Sequence, residues 1–186
     1  MNIIKVPKFL HDIFGEETEA ITLFLILFVT VVVMTGLIVA EGQLFTEVGL
    51  LKGILGIVLL ADIVAGTVAN FSSGTSNFYA RRPKNRWVFI AVHVQPVVIA
   101  WMLGFSLLYA ALLWFFVIVA TSIVNLLNGH AHQRFIAGAL MTLGIFGALV
   151  LYKGDSLVMQ VMSVFFIIKV VFSFGVDHER GVRDDS

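Results

Sequence analysis

The sequence predicts an all-α polytopic membrane protein: a bundle of about six transmembrane helices preceded by a short N-terminal interfacial helix. Three observations carry this. Hydrophobic residues make up 59% of the 186-residue chain and charged residues 13%, whereas roughly a quarter of a soluble domain is charged. Mean hydropathy is +0.99. The apolar residues also gather into stretches of the roughly 20 residues that a helix needs to cross a hydrocarbon core of about 30 Å.

Residues 1–18 form a polar, amphipathic entry segment. Pro7 can open a short helix and Gly15 can close it. Within it Phe9, Leu10, Ile13 and Phe14 share one face, with Lys8 and Asp12 on the other, which predicts a helix lying on the inner leaflet. The segment does not read as a signal peptide, because its apolar run is short and acids follow it.

Residues 19–177 form the transmembrane domain. The first three spans are Ala20–Ala40, Val48–Phe71 and Trp87–Phe105. The last three are Tyr109–Leu127, Phe135–Tyr152 and Leu157–Val176. Trp87 to Leu127 is almost unbroken and would extend about 60 Å as one helix, twice the membrane thickness. It must turn back, and Gly104-Phe105-Ser106 is its weakest helical stretch. Glycines at helical spacing, Gly49, Gly53 and Gly56 in the second span and Gly138, Gly144 and Gly147 in the fifth, predict close helix packing. Residues 178–186 are a polar tail.

Lysine and arginine set the orientation. With the N-terminus inside, the inner side holds Lys5, Lys8, Arg81, Arg82, Lys84, Arg86, Arg134, Arg180 and Arg183. The outer side holds Lys52 and Lys153, and Glu41 and Glu47 fall in an outer loop. Both chain ends are expected in the cytoplasm. Net charge is zero and cysteine is absent, which excludes disulfides and thiolate chemistry. Nucleic acid is not an expected partner. The bilayer is, with a small-molecule or lipid substrate and a second copy or partner subunits as further candidates.

Function is expected where polarity violates the span rule, because ionisable residues inside a membrane are expensive and face a bundle interior or a watery cavity. Asp62, His93 and Lys169 are such residues, in the second, third and sixth spans. Counted from the predicted inner ends, each lies about 9–14 Å deep. Helical spacing extends these positions into stripes: Asp62, Gly66 and Asn70; Thr121, Asn125, Asn128 and His132; Lys169, Ser173 and Asp177. The expected architecture is a sealed outer half and a hydrated inner vestibule. Gln95-Pro96 adds a kink that frees a carbonyl near His93.

Asp62, Asn70, His93, Asn125, Lys169 and Ser173 are therefore the candidate substrate or ion ligands. If the protein is an enzyme, His93 is its candidate general base and Asp62 the orienting partner. No cofactor is required by the sequence. A divalent metal held by His93, His130, His132, His178 and Asp62 has the right donor types, although His130 and His132 point about 200° apart on a helix. The basic loop with Arg81, Arg82, Lys84 and Arg86 either anchors the inner face or binds anionic lipid headgroups.

No family motif is present. In size and hydropathy the chain resembles the small substrate-binding subunits of energy-coupling-factor vitamin transporters, which implies transport. Its Ser, Asp and His set resembles that of alkaline-ceramidase-like hydrolases, whose His-x-x-x-His and seven spans it lacks. A last-span lysine with a buried aspartate is similar to retinal proteins, which have another helix count. Transport of a small solute or ion is the first expectation, a membrane-embedded enzyme acting on a lipid or amphiphile the second, and a structural or assembly role the third.

Overall fold

A computed structural model describes residues 3–8 and 11–179, with the backbone alone at Asp12. The chain begins with β1 (Ile3–Lys5), α1 (His11–Phe14) and β2 (Glu17–Glu19). It continues through α2 (Ala20–Glu47), α3 (Leu50–Ala69), α4 (Ser73–Ala80), α5 (Pro83–Val92) and α6 (Gln95–Leu103). Then come α7 (Leu107–Leu126), α8 (Gln133–Leu151) and α9 (Leu157–Ile167), which runs on as a π-helix over Ile168–Phe174. Among the described residues six helices, counting α5–α6 as one, are long and apolar enough to span a membrane. The architecture is compatible with an integral membrane protein, and its helices match the six predicted stretches.

The entry segment departs from expectation. Among the described residues its α-helix is the turn His11–Phe14, closed as predicted by Gly15, which takes φ +75° while its N–H bonds His11 O at 2.9 Å. Ile3–Lys5 and Glu17–Glu19 are extended and pair antiparallel. The segment is also held by protein contacts. Thr75 Oγ1 donates to Ile13 O at 2.7 Å, and Arg82 pairs with Glu16 at 2.6 Å. Phe9, Leu10, Arg180, Arg183 and the Asp12 side chain lie outside the described residues.

The first crossing is longer than the hydropathy indicates. It continues to Glu47 through a kink at Glu41, where φ is −137° and ψ 32°. Glu41 is thus in no loop. Its carboxylate accepts from Ser156 Oγ at 2.7 Å, Leu157 N at 2.7 Å and Val158 N at 3.0 Å. These are orphan donors at the start of α9, and a carboxylate there also meets the positive end of the helix dipole.

The turn inside the long apolar run is where it was expected. Gly104 ends α6 in the left-handed region at φ +77°, and Ser106 Oγ accepts from Tyr109 N at 3.3 Å to start α7. A glycine suits this turn because it carries no Cβ penalty at positive φ.

The last crossing is the centre of the molecule. Some 61% of its most apolar residues are buried, against 17% of those of α2 and of α8. It packs on α3, α7 and α8, with Met159, Met162, Phe166 and Val170 fully enclosed. Gly53, Gly56 and Gly144 permit close approaches, to Phe45, Leu103 and Phe116, whereas Gly147 faces open space. Polar stitches fix the α3 contact. Thr67 Oγ1 donates to Phe165 O at 3.1 Å, and Ser173 Oγ to Thr67 O at 2.7 Å.

Candidate functional site

Asp62 and Lys169 meet where α3 crosses the π-helical part of the central span. Lys169 Nζ donates to Asp62 Oδ2 at 2.7 Å, to Asp62 O at 3.3 Å and to Gln95 Oε1 at 3.4 Å. The three ammonium protons thus have three acceptors. Gln95 Nε2 donates to the same Asp62 Oδ2 at 2.5 Å. Gly66, one helical turn after Asp62, makes the approach possible, since a Cβ there would overlap the Lys169 side chain. Asn70, one turn further, donates to Lys169 O at 3.3 Å.

The pair is not evenly buried. The Lys169 side chain is 4% exposed and that of Asp62 is 40% exposed. Asp62 Oδ2 carries both side-chain bonds, and Oδ1 has none among the described residues. The ion pair therefore turns a carboxylate edge outward and keeps its ammonium inside.

That edge faces a cavity of about 410 Å³, which His93, Gln95, Asn70 and Lys169 also line. The cavity exists because the third crossing is broken. Pro96 has no N–H to continue the ladder, and α5 ends at His93, with ψ 62°, before α6 restarts at Gln95. His93 Nδ1 donates to Phe89 O, a carbonyl in the last turn of α5, which fixes its tautomer and leaves Nε2 free of that bond. Its ring lies against Phe89, tilted by 31° at 3.8 Å between centroids. Irregular backbone at membrane depth is tolerated where it lines a cavity. A π-helical segment, such as the one holding Lys169, is also common at functional sites.

Gln95 is the site residue that the sequence reading missed. Its signal was present, since it immediately precedes Pro96 in the middle of the span, but it stands in no polar stripe of the kind that marks Asn70 and Asn125.

Other candidate residues lie elsewhere. Asn125 is not at the cavity: its Oδ1 accepts from Arg86 Nε at 2.6 Å. Ser173 is committed to Thr67 O. Arg86 is not a headgroup ligand, because it is 4% exposed and donates to Gly175 O at 2.8 Å and Phe174 O at 3.3 Å. It serves the last carbonyls of the central helix, which no helical N–H reaches. Gln133 Nε2 joins it on Gly175 O at 3.1 Å. Arg82 is half-buried on Glu16, and Arg81 and Lys84 remain exposed.

The metal set does not assemble. His93 lines the cavity, His178 Nε2 bonds Ser173 O at 3.1 Å, and His130 and His132 are exposed in the turn before α8. Among the described residues no three His, Asp or Glu side chains come together as a metal-binding group. Thr121, in the α7 stripe, is buried with no hydrogen-bond partner for its hydroxyl among them.

No protein-family model, curated protein or solved structure matches this chain. Its function must be read from the chemistry of the site.

Proposed function

We propose that the chain is a multi-pass membrane protein that moves a small solute or ion across the bilayer, alone or as the membrane subunit of a transporter. The cavity at Asp62 is its substrate site. The basic residues at one end of the bundle, Arg81 and Arg82 before α5, Lys84 and Arg86 in its first turn and Arg134 in the first turn of α8, support placing that end, and both chain ends, in the cytoplasm.

The observation that carries this reading is the asymmetric burial of the ion pair. A pair that only staples two helices needs no cavity beside it, because each charge already has its partner, whereas polar groups that line a cavity at membrane depth mark pathways. Here the carboxylate is left 40% exposed at a cavity beside a broken helix. Broken helices are what transporters use to place polar groups at mid-membrane.

A cation or proton reaching Asp62 Oδ1 competes with Lys169 for the carboxylate. Neutralising Asp62 weakens the bonds that tie α3 to α6 and to the central helix, so occupancy and helix packing are linked. His93 and Gln95, on the two sides of the break, carry that change into the third crossing.

An enzyme with His93 as base and Asp62 as its orienting group has less support. Asp62 is engaged with Lys169 and Gln95, and His93 Nδ1 with Phe89 O, so the dyad is not hydrogen-bonded. The test is flux into proteoliposomes loaded with a pH-sensitive dye and challenged with a panel of amines, amino acids and monovalent cations. Asp62→Asn, reconstituted at equal folded protein, is expected to abolish a flux that wild type shows. Equal flux in both removes the proposal.

A further inference from the structure

We infer that the cavity takes an amphiphile that enters sideways from the hydrocarbon, with a head group that donates N–H or O–H bonds to Asp62. The inference rests on the cavity being the substrate site, and it names the substrate class.

The first support is the direction in which the cavity opens. α3 packs along α6 but scarcely touches α5, because the break at His93 turns α5 aside. The result is a cleft between α3 and α5 within the span. Val88 and Val92, one turn apart on α5, line it while being 60% and 61% exposed. The same valines thus face both the cavity and the outside of the bundle, where hydrocarbon surrounds a span. Toward the basic end Ile13 lines the cavity, pinned by the Thr75 hydroxyl on its carbonyl. The cavity is therefore open at its side, and Ile13 and Asn85 line its basic end.

The second support is the chemistry at the inner end. All three protons of Lys169 are used within the protein, and its side chain is sealed. The ammonium has no donor left for an anion. What the site offers is the unbonded Oδ1 of Asp62, an acceptor. At Asp62 a ligand must bring donors, as an amine or a hydroxyl does, and an anionic head there meets repulsion; the Asn70 and Asn85 amides also line the cavity. The walls between head and mouth are Phe89 and the two valines, suited to an alkyl chain. A volume of about 410 Å³ lies in the range of small-molecule pockets.

The experiment measures binding of tritiated dodecylamine to the full chain in phosphatidylcholine nanodiscs, above empty nanodiscs. Binding is expected to saturate, to be displaced by dodecanol, and to resist displacement by dodecyl sulfate and by ethylamine. Asp62→Asn combined with Lys169→Met should weaken it at least about tenfold, as for a lost charge-assisted hydrogen bond. Val88→Trp with Val92→Trp plugs the mouth while leaving the ion pair in place, and should abolish binding in protein of unchanged melting temperature.

Unsaturable binding, or equal binding by wild type and both variants, overturns the inference. Displacement by dodecyl sulfate overturns the donor head group, and displacement by ethylamine at equal concentration overturns the amphiphile. Asp62-dependent flux without dodecylamine binding leaves transport standing and removes only this substrate class. Binding without any flux does the reverse.

Discussion

Lys169 and Asp62 are 2.7 Å apart, yet the lysine is sealed between helices and the carboxylate looks into a cavity. The two partners should therefore respond differently to losing each other. Asp62→Asn strands an enclosed ammonium, for which the general penalty is about 3–5 kcal/mol. Lys169→Met strands a carboxylate that the cavity can hydrate, and should destabilise less. Combining them removes both charges and should recover most of the loss. Unfolding in bicelles measures the cycle, and strict additivity of the two changes would contradict the coupling.

Gly66→Ala tests the same contact from the other side. The added methyl overlaps the Lys169 side chain, so the ammonium must leave Asp62 or the helices must separate. Overpacking of this kind costs about 1–3 kcal/mol. The expected result is a modest loss of stability with a large loss of flux. Full flux in Gly66→Ala shows that the Lys169 position is immaterial to function.

How much of this was legible beforehand depended on whether a residue broke the hydropathy pattern. Asp62 and Lys169 did, because a charge inside an apolar run has few physical excuses, and the helical repeat of Asp62, Gly66 and Asn70 gave the face. Gly104 was visible because no other residue near the middle of a double-length run suits a turn. Gln95 carries no charge and was read only as the start of a kink. Glu41 reads as a loop residue because an acid usually ends a span, and its partners lie 115 or more positions away at Ser156 to Val158. Arg86 looks like its basic neighbours in the sequence, and only its distant partners, Asn125 and the carbonyls of Phe174 and Gly175, draw it inward. Strand pairing at Ile3–Lys5 was hidden, since three residues are too few to show a period.

Arg86 should behave as a buried structural residue. Arg86→Ala removes bonds to Asn125, Phe174 O and Gly175 O, an expected loss of about 3–5 kcal/mol. Arg86→Lys should restore only part, because an ammonium lacks the planar fork that reaches several acceptors at once. Thermal unfolding separates the three proteins. Wild-type stability in Arg86→Ala contradicts the assignment.

The end of the central helix should loosen in mild acid. His178 lies outside the spans, packed against Phe71 and Phe172 with its ring donating to Ser173 O. Burial, aided by the nearby Arg134 guanidinium, holds its pKa below the usual 6.5. A folded pKa below the unfolded one means full stability above pH 6.5, lost as pH falls from there toward the folded value. Hydrogen exchange over residues 172–177 should therefore quicken between about pH 7 and 5 relative to the core, and His178→Gln should flatten that change. An identical pH profile in the variant contradicts it.

The account stands most directly on whether the Asp62–Lys169 pair works or merely holds. The decisive measurement compares uptake by wild type with uptake by the Asp62→Asn, Lys169→Met double variant, in vesicles containing equal folded protein of matched stability. The account predicts a folded protein that no longer moves substrate. A double variant that folds and transports as wild type does would make the pair a staple and the cavity incidental.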